Sequence, residues 1–160
     1  MGNKVIDNTN TGLLDRFDMS IIEELSVDGR LTVTELAKRV GLSKTPCQVR
    51  LKKLIDRGYI TGFRAVINYQ LLDIGHIAFA EVKLMDTTQN ALEAFNKAVQ
   101  DIPEVEQCHM IAGSFDYLLK VRAKDINAYR HVLGERISSL PYVASTSTFV
   151  AMQAVKEPGG

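Results

Sequence analysis

Residues 41–60, GLSKTPCQVRLKKLIDRGYI, gather side chains suited to one kind of chemistry. On a helical wheel of about 100° per residue, Thr45, Val49, Lys52 and Asp56 point one way, with Gln48 and Lys53 flanking them. An amide can pair bidentately with adenine, valine methyls can meet the thymine methyl, and an ammonium can reach guanine. Thr45, Gln48, Val49 and Lys52 are therefore candidates for reading base edges. Lys44, Arg50, Lys53 and Arg57, with Arg39 just ahead, are candidates for backbone phosphate. Cys47, Leu51 and Leu54 fall on the opposite side with Ile55 at its edge, so a core is expected behind the helix. Cys47, on that apolar side, reads as a packed thiol rather than a nucleophile. Asp56 reads as a group that trims specificity or caps a neighbour rather than a metal ligand.

The other short stretch with chemical potential is GSFDY, residues 113–117. Gly113 is expected to permit a turn that a side chain would hinder. Asp116 can hold an ammonium group or cap the turn. The plainer alternative is an ordinary strand connection. His76, His109 and His131 have no Cys, Asp or second His at a ligand spacing, and read as structural or surface histidines. Cys47 and Cys108 stand far apart and match no metal spacing, which suits a reducing interior. There is no glycine-rich phosphate loop and no nucleophile elbow. No catalytic constellation, metal or cofactor is expected.

Three helices are needed to position the first group. Leu14, Phe17, Ile21 and Leu25 form one stripe, with Asp15 and Asp18 in the first turn and Asp28-Gly29 as the stop. Thr32 and Glu35 have capping-box spacing ahead of Val33, Leu36, Ala37 and Val40, and Gly41 ends that helix. Ser43 is the expected cap of the third helix, and Pro46 is tolerated in its first turn. Only Gly41, Leu42 and the Ser43 cap separate the second and third helices, which is helix-turn-helix spacing. In such a unit the second helix enters the major groove, about 12 Å wide, by its N-terminal residues. Charge agrees with this. Residues 36–64 hold eight basic residues against one acid, Asp56, whereas residues 65–160 hold eight against eleven, within a net charge of zero.

The second half alternates differently. Residues 59–68 read as a strand or hinge. IAFAEVKLM is a strand with Ile77, Phe79 and Glu81 on one face and Ala78, Ala80 and Val82 on the other. A helix follows over residues 89–100, then strands VEQCHMIAG and DYLLKVRA, a helix from Ile126 to Ile137, and a last strand VASTSTFVAMQAV. The expected class is α/β with two domains. A winged-type helix-turn-helix at residues 13–64 and a hinge at residues 65–76 lead to a ferredoxin-like βαββαβ domain at residues 77–156. Two helices on one sheet face leave the other open, and a sheet-to-sheet homodimer would cover it. No run of eighteen apolar residues exists, so no membrane partner is expected and the cytoplasm is the expected location. Residues 1–12 read as a loose tail without the apolar core of a signal peptide, and the KEPGG end as frayed.

Two long stretches carry a resemblance: LDRFDMSIIEELSVDGRLTVTELAKRVGLSKTPCQVRLKKLIDRGYITGFRAVIN and IAGSFDYLLKVRAKDINAYRHVL. Across about residues 13–156 the chain resembles the leucine-responsive regulator and asparagine-regulator family, the feast-or-famine transcription factors. The resemblance implies a regulator that binds double-stranded DNA and responds to a small amino acid. It also implies homodimers formed through the sheet and assembly to octamers. It implies an effector pocket between dimers near the GSFDY turn, with Gly113, Ser114 and Asp116. Positions tied to the amino acid response match Met110, Asp116, Ile126, Phe149, Val150 and Ala151. Two other readings stand beside it: a ligand-independent architectural DNA-binding protein, and a regulatory subunit of an amino acid metabolic enzyme built on the ferredoxin-like half.

Overall fold

The computed structural model describes residues 14–157. The tail expected at residues 1–12 and the last three residues of the KEPGG end lie outside the described residues. The chain divides into two compact units between Val66 and Ile67.

The first unit holds α1 (Arg16–Val27), α2 (Val33–Val40) and α3 (Lys44–Asp56). Asp15 is the N-cap of α1 rather than part of its first turn, and it forms a capping box with Asp18. Thr32 and Glu35 close the same kind of box on α2, as their spacing predicts. Gly41 ends α2 at φ 73°, where a side chain would be strained. Ser43 occupies the N-cap of α3, but its hydroxyl makes no capping hydrogen bond. The reason is local. A cap accepts from the second or third helical amide, and the third helical residue here is Pro46, which has no N–H. Ile21, Leu36, Ala37, Val40, Cys47 and Leu54 form the buried core that holds α3 from behind.

The second unit runs β1 (His76–Leu84), α4 (Gln89–Val99), β2 (Val105–Met110), β3 (Tyr117–Ala123), α5 (Ile126–Val132) and β4 (Val143–Val150). A short helical turn at Tyr69–Leu72 precedes β1, and a wider π turn at Leu133–Ile137 extends α5. The sheet order is β2-β3-β1-β4, every pair antiparallel, which is the ferredoxin-like arrangement. Phe95 and Val99 of α4 and Tyr129 and Val132 of α5 join Ala78, Ala80, Val82, Leu119 and Val121 in one core. On the opposite sheet face Phe79 stands beside Phe149, and Glu81 beside Leu118.

Two expectations change. Of the strand and hinge readings of residues 59–68, the strand does not form: residues 61–68 carry none, and Phe63, Val66 and Ile67 stay exposed. Alternation alone does not make a strand without a neighbour to complete the ladder, and none lies beside this segment among the described residues. The last strand ends at Val150 instead of running to Val155. Val150 pairs with Ala78, and Ala151 donates to the Ile77 carbonyl at 2.9 Å, after which β1 has almost no residues left to pair.

Candidate nucleic-acid interface and effector turn

The exposed side of α3 carries Thr45, Gln48, Val49, Lys52 and Lys53, as the wheel predicts. Val49 is 62% exposed although Cys47 and Leu54 are buried on the same short helix, so its methyls have no packing role within the unit. Burial pushes the Cys47 thiol above its ordinary pKa, which keeps it an inert packed group. Lys44, Lys53 and Arg57 make no ion pair among the described residues.

The other candidate cations, Arg39 and Arg50 for phosphate and Lys52 for base edges, are engaged. Arg39 Nη1 donates to Glu24 at 3.0 Å, and Lys52 Nζ to Asp56 at 2.5 Å. Asp56 thus pairs with an ammonium one turn earlier on the same helix. Arg50 Nη1 donates to Asp15 at 2.6 Å and to Asp18 at 2.8 Å. Hydrogen bonding to Asp18, then to Asp15, holds the Arg50 pKa above its ordinary value against the opposing pull of burial. Burial opposes ionisation of Asp15. The Asp18 amide and the Arg50 guanidinium outweigh it and hold the carboxyl below its ordinary range. Sequence reasoning missed the α1 acids as partners of α3, because those contacts link residues far apart along the chain.

The eight effector candidates fall into two groups within one chain. Met110, Gly113, Ser114 and Asp116 gather around the β2–β3 turn, where Asp116 N–H donates to the Val82 carbonyl near the end of β1. Ile126, Phe149, Val150 and Ala151 lie towards the start of β1, since Val150 pairs with Ala78 and Ile126 follows the strand that pairs Ala123 with His76. At about 3.3 Å per residue, the length of β1 separates the groups. A single chain does not bring them together.

Asp116 is already partly committed. Its Oδ2 accepts from the Leu84 N–H at 2.7 Å, and Oδ1 lies 3.9 Å from Lys83 Nζ. Gly113 is a correction. It does not have a positive φ, and a Cβ there would meet only Ile111 Cγ2, at 3.6 Å, an ordinary contact. The turn in the isolated chain therefore does not require glycine. Beside it a hollow of about 190 Å³ on the open sheet face is lined by Glu81, Lys83, Ser114, Phe115, Ser145 and Ser147. The alternating serines of β4 were the sequence signal for this polar patch. Cys108, half-buried on β2, has its thiol pushed up to about 11 by burial. Among the described residues no cluster of His, Cys, Asp or Glu could hold a metal ion, and no helix is long and apolar enough to cross a membrane.

Comparison with known proteins agrees with both halves. Residues 77–160 match the model of the Lrp/AsnC ligand binding domain, and residues 14–61 match a winged helix-turn-helix DNA-binding model. The chain is 69% identical over 146 residues to a proline dehydrogenase transcriptional activator of Rhizobium radiobacter, covering 91% of this chain and 94% of that one. It is 54% identical over 147 residues to a protein of the same name from Rhodobacter capsulatus, covering 92% and 96%. Among solved structures, a transcriptional regulator of Neisseria meningitidis in complex with L-Met superposes with a TM-score of 0.83 at 33% identity, covering 91% of this chain and 94% of that one.

Proposed function

The chain belongs to the Lrp/AsnC family of DNA-binding transcriptional regulators, which control amino acid metabolism genes, and from that premise we propose that it activates a proline dehydrogenase gene in response to free proline. The observation that carries the proposal is the 69% identity over 146 residues to a regulator named for that role. Proline is the substrate of the enzyme so controlled, so proline itself is the economical signal for making it.

In this reading α3 enters the major groove. Thr45, Gln48, Val49 and Lys52 read base edges, while Lys44, Lys53, Arg57 and Arg39 meet phosphate. Arg39 can do so because exposed ion pairs are worth only about 0–1 kcal/mol and exchange readily for phosphate, and the exposed Lys52–Asp56 pair can yield in the same way to a base edge. Residues 65–76 serve as the hinge between a DNA-binding domain at residues 13–64 and an effector domain at residues 77–156. Homodimers form through the open sheet face, where Phe149 is 55% exposed, and dimers assemble to an octamer in the cytoplasm. The effector sits between chains. There Gly113, Ser114, Asp116 and Met110 of one chain meet Ile126, Phe149, Val150 and Ala151 of another. The separation of the two groups within one chain supports that arrangement.

The test is transcription from the proline dehydrogenase promoter of the source genome with purified protein, titrated with each of the twenty amino acids. Proline-dependent activation is expected. Activation by a different amino acid would overturn the choice of proline. Binding at that promoter without response to any amino acid would favour the architectural reading.

A further inference from the structure

Arg50 lies in the middle of α3, where the helical wheel offers it to phosphate. In the folded unit its guanidinium is turned onto the start of α1 instead. Nη1 donates to Asp15 Oδ2 at 2.6 Å and to Asp18 Oδ1 at 2.8 Å, with Cζ 5.5 Å from the Phe17 ring centroid. The same two carboxylates build the capping box of α1. Asp15 Oδ1 accepts from the amides of Phe17 and Asp18 at 2.8 and 3.0 Å, and Asp18 Oδ2 accepts from the Asp15 amide at 3.2 Å. Each carboxylate thus spends one oxygen on the helix start and the other on Arg50.

This arrangement differs in kind from the other ion pairs of the unit. Arg39–Glu24 and Lys52–Asp56 are single contacts between exposed partners that solvent or phosphate can replace. Asp18 is only 9% exposed. Withdrawing Arg50 to a phosphate would leave a buried carboxylate without its counter-ion, the costly way to break a pair. Arg50 also lies one and two residues beyond Val49 and Gln48, so whatever holds its side chain fixes the rotation of the base-reading face.

Resting on the reading of α3 as the DNA-recognition helix, we propose that Arg50 is a positioning residue rather than a phosphate contact. It latches α3 to the Asp15–Asp18 cap of α1 and sets the angle at which Gln48 and Val49 reach the bases. Operator specificity then depends on two acids that never approach DNA. This inverts the ordinary expectation, since removing a negative charge near a DNA-binding surface should tighten binding to every sequence.

The experiment compares the full-length wild type with the Asp18→Asn, Asp15→Asn and Arg50→Gln variants. The probes are an operator duplex selected by the wild type from a random library and a scrambled duplex of the same composition, over a salt series. Asp15→Asn keeps a good N-cap acceptor, so it reports on the latch if Asp18→Asn fails to fold by circular dichroism. The expected result is a fall of about tenfold in operator-over-scrambled preference for the acid variants, the scale of one misplaced base contact. For Arg50→Gln the salt slope on scrambled DNA stays at the wild-type value. The proposal is overturned if the acid variants keep the wild-type preference or bind all duplexes more tightly. It is equally overturned if Arg50→Gln lowers the slope by about one, as a lost phosphate contact would. If the wild type selects no operator at all, the DNA-recognition reading falls, and the latch with it.

Discussion

Replacing Asp116 by Asn tests the effector site with little disturbance of the fold. The asparagine carbonyl can still accept the Leu84 N–H that Asp116 Oδ2 takes at 2.7 Å, so the β2–β3 turn should keep its hydrogen bond. Exchanging a charged for a neutral acceptor costs about 1 kcal/mol of stability. The loss for the effector is larger. A hydrogen bond to a charged group contributes about 1.5–3 kcal/mol, and each 1.4 kcal/mol is about tenfold in affinity. Two features place the expected loss at the lower end. One carboxylate oxygen is already used, and Lys83 Nζ stands 3.9 Å from the other, where it would compete with the ammonium of the proposed proline effector. Asp116→Asn should therefore raise the proline concentration at half-response about tenfold. Lys83→Met should lower it by removing the competitor. Basal affinity for DNA should be unchanged in both, because Asp116 and α3 belong to different units of the chain. The assay follows operator binding by anisotropy and mass by light scattering during a proline titration. A wild-type midpoint for Asp116→Asn would refute the role of this carboxylate while leaving the rest of the turn in play.

Footprints should show two half-sites about 34–36 Å apart or at a multiple of that spacing, and a single asymmetric half-site protected by a monomer would refute the two-fold reading. Gln48→Ala should cost about 1–3 kcal/mol on the operator alone, whereas Lys53→Ala should reduce the salt slope by about one on every duplex. Equal losses for Gln48→Ala on operator and random DNA would remove it from base reading. Acid should weaken the effector domain through Glu106 and Glu157, which pair with Lys120 and Arg122. Burial opposes ionisation of Glu106 but its hydrogen bonds from Arg122 and Lys120 prevail, and the Lys120 hydrogen bond leads the lowering at Glu157. Both folded values lie below the ordinary 4.5, so this stabilisation is complete above that pH and is lost as the pH falls through the lowered values. Thermal melts from pH 7 downward should converge for the wild type and a Glu106→Gln, Glu157→Gln double variant below that window; parallel curves would refute the assignment.

What could be read from the chain, and what could not, follows from the distance over which each feature is decided. The Thr32–Glu35 box, the Gly41 stop and the buried Cys47 side of α3 are set within a turn or two of helix, and the structure has them where the spacing puts them. Ser43 stands at the N-cap without a side-chain hydrogen bond because of a conflict that was also local, since Pro46 stands where the donating amide should be. The βαββαβ order was legible because each strand and helix has its own period, but the end of β4 was not, because β1 decides it by running out of partners. Arg50 shows the limit most clearly. Its wheel position says only that it is not in the core, and its carboxylates lie 35 and 32 residues away in sequence. A wheel assigns such a residue to solvent or phosphate by default, whereas the fold hands it to α1. The candidate effector residues are a longer-range case still. Met110 and Asp116 sit at one end of the sheet, Val150 and Ala151 towards the other, and no turn, period or cap within one chain bears on their meeting. In the proposed reading a pocket made from both groups would be specified by the pairing of chains, which the path of one backbone does not display.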